Sequence, residues 1–252
     1  MKNLIYIFLI IIISSCSTKK QINYLQDIDL NDSYSNKYMQ YKIKVDDILK
    51  ISINSNIPEL SNGLDVKSNS GSNLEYYLLN GYQVDSNGYI YLPDIDSLLV
   101  EGKTIPEIRN TIYEKIVIDK KILLNPSIDV KLISSHFIIL GEVNKPGKYE
   151  FLENNLNVFE AIGMAGDLTI NGLRKDVKVI RDVEGKKDIF SLDLTKSELL
   201  NNNKYQIFSG DIIIVNPNSA RVKNAGIIGN SGTLISLLSF LLSSIIVLGY
   251  NN

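Results

Sequence analysis

The sequence predicts an α+β protein: a unit of short strands with one capped helix, then a β-grasp-like unit, then a C-terminal transmembrane α-helix. Three observations carry this reading. Stretches such as "ILKISIN" and "VKVIRDV" alternate apolar and polar residues with the period of two that a half-buried strand needs. Thr104 with Glu107, and Asn157 with Glu160, each set a capping pair three residues apart before an apolar helical stripe. Residues 4–13 and 234–248 are apolar runs that a water-soluble domain does not require at its ends.

At the front, Lys2 gives a short basic start, and Leu4 to Ile13 are too few to span a bilayer, which takes ~20 residues. Ser14, Ser15 and Cys16 follow, so residues 1–15 have the layout of a secretory signal. Ile13-Ser14-Ser15-Cys16 resembles the bacterial lipobox, whose cysteine becomes the lipidated first residue of the mature chain. Cys16 is the only cysteine, so neither a disulfide nor a thiolate metal site competes for it. Ser17 in place of Asp implies sorting to the outer membrane. Residues 16–40, polar and broken by "DLNDSYSN", read as a flexible lead.

Residues 41–133 form the first expected unit. "YKIKVDDILKISIN" alternates on both sides of a tight turn, with Tyr41, Ile43 and Val45 on one face and Leu49, Ile51 and Ile53 on another. Residues 55–75 are loop-like. "YQVDSNGYIYLPDI" signals a hairpin turning at Gly88, with Tyr89 to Leu92 as its return strand. Thr104 opens a helix whose stripe is Ile105, Ile108, Ile112 and Ile116, and "NPSIDVKLI" closes the unit as a strand.

Residues 134–218 form the second. "HFIILGEVNKPGKYEF" reads as strand, Pro-Gly turn and strand; "VFEAIGMA" is a helix ended by Gly166. Two strands surround Gly185, and a last pair, "YQIF" and "DIIIVNP", surrounds Gly210. A hairpin, a crossing helix and further strands make a β-grasp-like unit. Residues 219–231 are a linker.

Residues 232–250 complete the chain as a membrane-spanning amphipathic helix. Steps of ~100° place Gly232, Ser236, Ser239 and Ser243 in a stripe about 60° wide, with Leu, Ile, Phe and Val elsewhere. Such a stripe either lets neighbouring helices approach closely or faces water within a ring of helices. Residues 233–249 would rise roughly 25 Å, which suits the thin bacterial outer membrane.

Composition excludes several classes. Net charge is −2 and no basic stripe interleaves with aromatics, so nucleic acid is not an expected partner. "GEVNKPGKY" fails as a phosphate loop, because its glycines are misspaced, Pro146 removes a donor and Tyr149 replaces the metal-binding hydroxyl. His136 is the only histidine and lacks a nucleophile in any recognisable motif. Asp46–Asp47 and Asp94–Asp96 fit turns better than a glycosidase pair. Arg174, Lys175, Lys178 and Arg181 read as a solvated strand face. No catalytic residue, metal site or cofactor is expected beyond the lipid on Cys16, and the chain does not read as an enzyme.

The order of these motifs resembles the outer-membrane polysaccharide export lipoproteins. Asp47 in "VDDILKISI", Gly88 and Pro93 in "DSNGYIYLP", Gly102 and Thr104 in "VEGKT", and Pro126 match its export domain. Gly141, Pro146 and Gly147 in "GEVNKPGKY", Ala165 and Gly166, Arg181, and Gly210 with Asp211 match its soluble-ligand-binding β-grasp domain. Asp46, Asp96 and Asp167 stand where that family commonly has glycine. The resemblance implies a homo-oligomeric ring, expected to be an octamer, with a helical pore through the outer membrane and its main body in the periplasm. It also implies polysaccharide as cargo, membrane lipid around the helices and an inner-membrane polysaccharide co-polymerase as partner. A competing expectation is a periplasmic lipoprotein that binds a saccharide or a partner without forming a pore.

Overall fold

The computed structural model describes residues 22–29, 31, 33–35, 38–54, 81–93, 95–119, 126–219, 232, 235–240 and 243–244. Among them the architecture is α+β in two units. Cys16, residues 55–75 and Asp94 lie outside the described residues, as does much of 219–250.

In the first unit, β1 (Ile48–Asn54) is the centre of an antiparallel sheet in the order β2-β1-β5, with β2 at Tyr82–Gln83 and β5 at Ser127–Leu132. Alternation puts Leu49, Ile51 and Ile53 in the core, facing Val130. Helix α1 (Ile105–Tyr113) starts at the expected capping box: the Thr104 side chain accepts from the Glu107 amide, and the Glu107 carboxylate accepts from the Thr104 amide at 2.7 Å. It widens into a π-helical segment over Glu114–Asp119, and Ile108, Ile112 and Ile116 are fully buried along its stripe.

Two strand expectations are corrected here. Residues 41–44 do not form a strand. Ile43 instead exchanges backbone bonds with Gly102 and Lys103, which fixes its side chain in the core. Gly88 does turn the chain (φ +83°), yet β3 (Tyr89–Leu92) pairs with β4 (Asp96–Leu99), while β2 pairs with β1. The Asp85 carboxylate causes the divergence: it accepts the Asn87 and Tyr89 amides and turns the chain before a ladder can form.

The second unit is a five-stranded sheet in the order β7-β6-β10-β8-β9. Its strands are β6 (His136–Gly141), β7 (Gly147–Glu150), β8 (Gly172–Val183), β9 (Lys186–Leu192) and β10 (Ile212–Pro217). The first and last run parallel side by side, and α2 (Val158–Met164) packs on one face, which is the β-grasp arrangement. Asn157 caps α2 through the Phe159 and Glu160 amides. Phe137, Ile139, Val177, Val179, Phe190, Leu192, Ile213 and Val215 meet α2 in the core.

"YQIF" is not a strand: two 3-10 turns, Ser197–Asn201 and Asn203–Tyr205, lead into it, and Gln206 only bridges Asn157. The basic set also divides. Lys175 is exposed and Lys178 partly so, but Arg174 and Arg181 are 4% and 7% exposed, on the core face of β8.

Described residues of the expected lead dock as a strap on the second unit. Leu25 and Gln26 donate to the Leu194 and Thr195 carbonyls, and Asp27 accepts the Ser197 amide at 2.6 Å. Tyr38 donates to the Asn154 carbonyl, and Met39 makes two reciprocal bonds with the Gln206 side chain. At the other end, residues 235–240 and 243–244 are helical, and Ile235, Leu237 and Phe240 are largely exposed. Ser243 and Ser244 donate back to the Phe240 carbonyl, satisfying their hydroxyls within the helix. Among the described residues, no helix is long and apolar enough to cross a membrane.

Candidate functional site

The motif residues named from sequence gather in three places. At the first, Asp47 sits in the turn before β1, 7% exposed, and accepts from the Lys44 amide at 2.9 Å and the Tyr41 hydroxyl at 3.0 Å. Burial raises its carboxyl above the usual range, against those hydrogen bonds. Burial, reinforced by the Asp47 charge, likewise pushes the Tyr41 phenol well up. The Gly210–Asp211 turn lies opposite: Tyr41 and Phe208 rings are 6.0 Å apart, and Gly210 donates to the His136 carbonyl at 2.7 Å.

Asp211, 1% exposed, holds Arg181 in a forked ion pair, with Nε to Oδ1 at 3.0 Å and an NH2 nitrogen to Oδ2 at 2.7 Å. The same NH2 reaches the Gln206 carbonyl at 2.6 Å, and the guanidinium lies 4.3 Å from the Phe208 ring centre. Alternation through Val177 and Val179 puts Arg181 on the inner face, so its burial was readable in the strand period. Lys44 Nζ crosses to the Asp182 carbonyl at 3.0 Å, and the Ile48 amide donates to Ser134 Oγ at 2.9 Å, fastening the units together.

Beside this junction opens a cleft of about 910 Å³. Its walls come from both units: Tyr41, Lys44 and Glu101 on one side, Asp188, Phe208 and the Asn201–Lys204 turn on the other. Mixed charge, amides and aromatic edges suit a polyhydroxylated chain or a peptide. Among the described residues no cluster of His, Cys, Asp and Glu could hold a metal, and His136 spends Nδ1 on the Ser134 carbonyl at 3.0 Å.

At the second place, Gly88 and Gly102 organise the corner between β3, β4 and α1. The Gly88 carbonyl accepts from Val100 at 2.9 Å and Glu101 at 3.1 Å, while Gly102 donates to Ile43. Pro93 is exposed in the turn leading to β4.

At the third, Gly141 ends β6 with φ +97°, and a Cβ there would lie 2.0 Å from the Val215 carbonyl oxygen. Only glycine admits β10 this close. Pro146 and Gly147 form the β6–β7 hairpin, and its residues Asn144 and Lys145 donate to the Asp167 and Ala165 carbonyls around Gly166. Asp46, Asp96 and Asp167 have φ of 68°, 71° and 74°. The three aspartates found where the resembled family has glycine therefore keep glycine's backbone, a conformation short polar side chains tolerate best after glycine. Cys16 lies outside the described residues; Gly232, Ser236, Ser239 and Ser243 are exposed and helical.

The strap was not legible in the sequence. Tyr24, Asp27, Tyr38 and Met39 sit in a polar, turn-rich segment without periodicity.

Residues 35–133 match the family described as polysaccharide biosynthesis/export protein, and residues 137–189 match the SLBB domain. The chain is also similar to EPS I polysaccharide export outer membrane protein EpsA of Ralstonia solanacearum, at 26% identity over 141 residues. That stretch covers 54% of this chain and 36% of the relative, so the chain matches about a third of that protein's length.

Proposed function

We propose that the chain is a polysaccharide export lipoprotein of the outer membrane, whose copies form a ring-shaped channel passing capsular or extracellular polysaccharide from the periplasm to the cell surface. The matches of residues 35–133 and 137–189 support this reading. The two matched domains, in family order, support a transport role rather than an enzymatic one. The name of the relative supports the outer membrane as location, with the two units in the periplasm.

The observation that carries the ring is the outer face of the second sheet. Cross-strand register sets Ile138, Ile212, Ile180 and Ile189 side by side on the face that α2 leaves uncovered, and Ile189 is 62% exposed. Leu140, beside Ile214, extends the patch. Contiguous apolar surface of this kind marks an interface. The sheet face and the α2 face are opposite sides of one two-layer unit, so contact between one and the other on the next copy is heterologous, the type that closes rings. Lipid on Cys16 and the 232–250 helix, with Gly232, Ser236, Ser239 and Ser243 toward water or a neighbour, would complete the exit. By family likeness the ring is an octamer, and an inner-membrane co-polymerase supplies the driving force.

Removing residues 231–252 tests this reading. The channel predicts loss of surface polysaccharide with accumulation of precursor in the periplasm. Unchanged export would instead favour a pore-free binding lipoprotein, the reading that the junction cleft supports.

A further inference from the structure

Both ends of the described body meet at one pole of the second unit. Tyr24, near the start of the strap, donates its hydroxyl to Asp167, and its ring centre lies 5.2 Å from the Arg174 guanidinium carbon. Asn218, just past β10, gives its amide N–H to the Asn171 carbonyl at 2.7 Å and its side-chain amide to the Ile170 carbonyl at 3.3 Å. The segment arriving from Cys16 and the segment leaving for the C-terminal helix thus grip the same loop, residues 166–172.

That loop is stiff. Arg174 gives one NH nitrogen to the Thr169 and Gly172 carbonyls, at 3.3 and 3.2 Å, and the other to Leu168 at 3.5 Å. Thr169 donates its amide to the Glu142 carbonyl and its hydroxyl to the Glu142 carboxylate, tying the loop to the β6–β7 hairpin. Held on this frame, Ile170 projects outward, 62% exposed, with Met164, Pro146 and Lys145 also exposed nearby. An apolar tip beside a cation fits the boundary between headgroups and acyl chains. A lipid on Cys16 would keep the pole within reach of the membrane, because eight residues from Cys16 to Tyr24 span at most roughly 28 Å.

We propose that this pole is a lipid-contact surface: Ile170 and Met164, with Lys145 beside them, seat in the periplasm-facing phospholipid leaflet, and the first unit points away from the membrane. The inference rests on the lipid-anchored reading above, and its test separates the two.

The chain has no Trp, so one introduced Trp reports on its own surroundings. Full-length lipidated protein carrying Ile170→Trp, Ile189→Trp or Tyr91→Trp, positions 62%, 62% and 65% exposed, is reconstituted into phosphatidylethanolamine–phosphatidylglycerol vesicles with and without brominated acyl chains. The proposal expects bromine to quench Ile170→Trp at least about twofold and to leave Tyr91→Trp unchanged. Water-like, unquenched emission from Ile170→Trp on protein that floats with the vesicles overturns it, as does quenching of Tyr91→Trp instead. A concentration-dependent blue shift of Ile170→Trp without bromine quenching assigns the pole to a second copy and also overturns it. Protein that does not float refutes the anchored reading, and this surface falls with it. Ile189→Trp, on the sheet face, is expected to shift with assembly and not with bromine.

Discussion

Replacing Asp211 by alanine leaves the Arg181 guanidinium buried with one carbonyl and two aromatic rings for company. The side chains of the pair are 8% and 1% exposed, and Asp211 also accepts the Phe208 amide at 2.8 Å. Removing one partner of such a pair costs about 3–5 kcal/mol, because the survivor keeps its desolvation penalty. Against a total stability of about 5–15 kcal/mol the loss is large. At roughly 2–4 °C per kcal/mol for a chain of this size, Asp211→Ala should lower Tm by roughly 6–20 °C. Circular dichroism melts of the full chain in mild detergent read this directly. A second variant separates charge from packing: Arg181→Met with Asp211→Leu removes both charges and should recover most of the loss. A shift equivalent to less than about 1 kcal/mol for Asp211→Ala would refute the argument that this pair is desolvated at the junction.

Other perturbations give equally definite expectations. Gly141→Ala drives a methyl into the Val215 carbonyl and should destabilise by more than about 2 kcal/mol, seen as a lower urea midpoint. Asp46→Gly and Asp96→Gly should change stability by no more than about 1 kcal/mol, whereas Asp46→Val should cost about 1–2 kcal/mol by the same titration. Asp47 has a raised folded-state carboxyl pKa, so the native state binds the extra proton and stability falls as pH rises through the window above 3.8. In Asp47→Asn that component disappears, so the gap between variant and parent should narrow as pH rises across the window. Gln206→Ala removes both bonds to Met39 and should raise protease cleavage within residues 25–40, mapped by mass spectrometry.

Where local chemistry decides structure, the sequence could be read. Thr104 and Asn157 sit beside their capping partners, and the Leu49-Ile51-Ile53 and Val177-Val179 alternations face the core as their period demands. Partner choice was not readable. Nothing in "YQVDSNGYIYLPDI" says that Tyr89–Leu92 turns to Asp96–Leu99 rather than back, because the Asp85 amide bonds that divert it are a matter of turn geometry. Composition assigned Arg174 and Arg181 to solvent; the strand period already turned Arg181 inward with Val177 and Val179, whereas the loop carbonyls that took Arg174 inside were a matter of tertiary context. The strap is the largest omission, since its docking depends on Leu194, Thr195, Ser197 and Gln206, more than 150 residues downstream. At the motif turns the family likeness and the backbone agree: Asp46, Asp96 and Asp167 lack the glycine and keep its dihedral angle.

Images of the full-length lipidated protein, purified in mild detergent and averaged end-on, address the channel itself. Closed rings of identical subunits around a central opening, dispersed by Ile180→Asp in the isoleucine row, are the predicted result. Single subunits at every concentration, or compact particles without an opening, would contradict it.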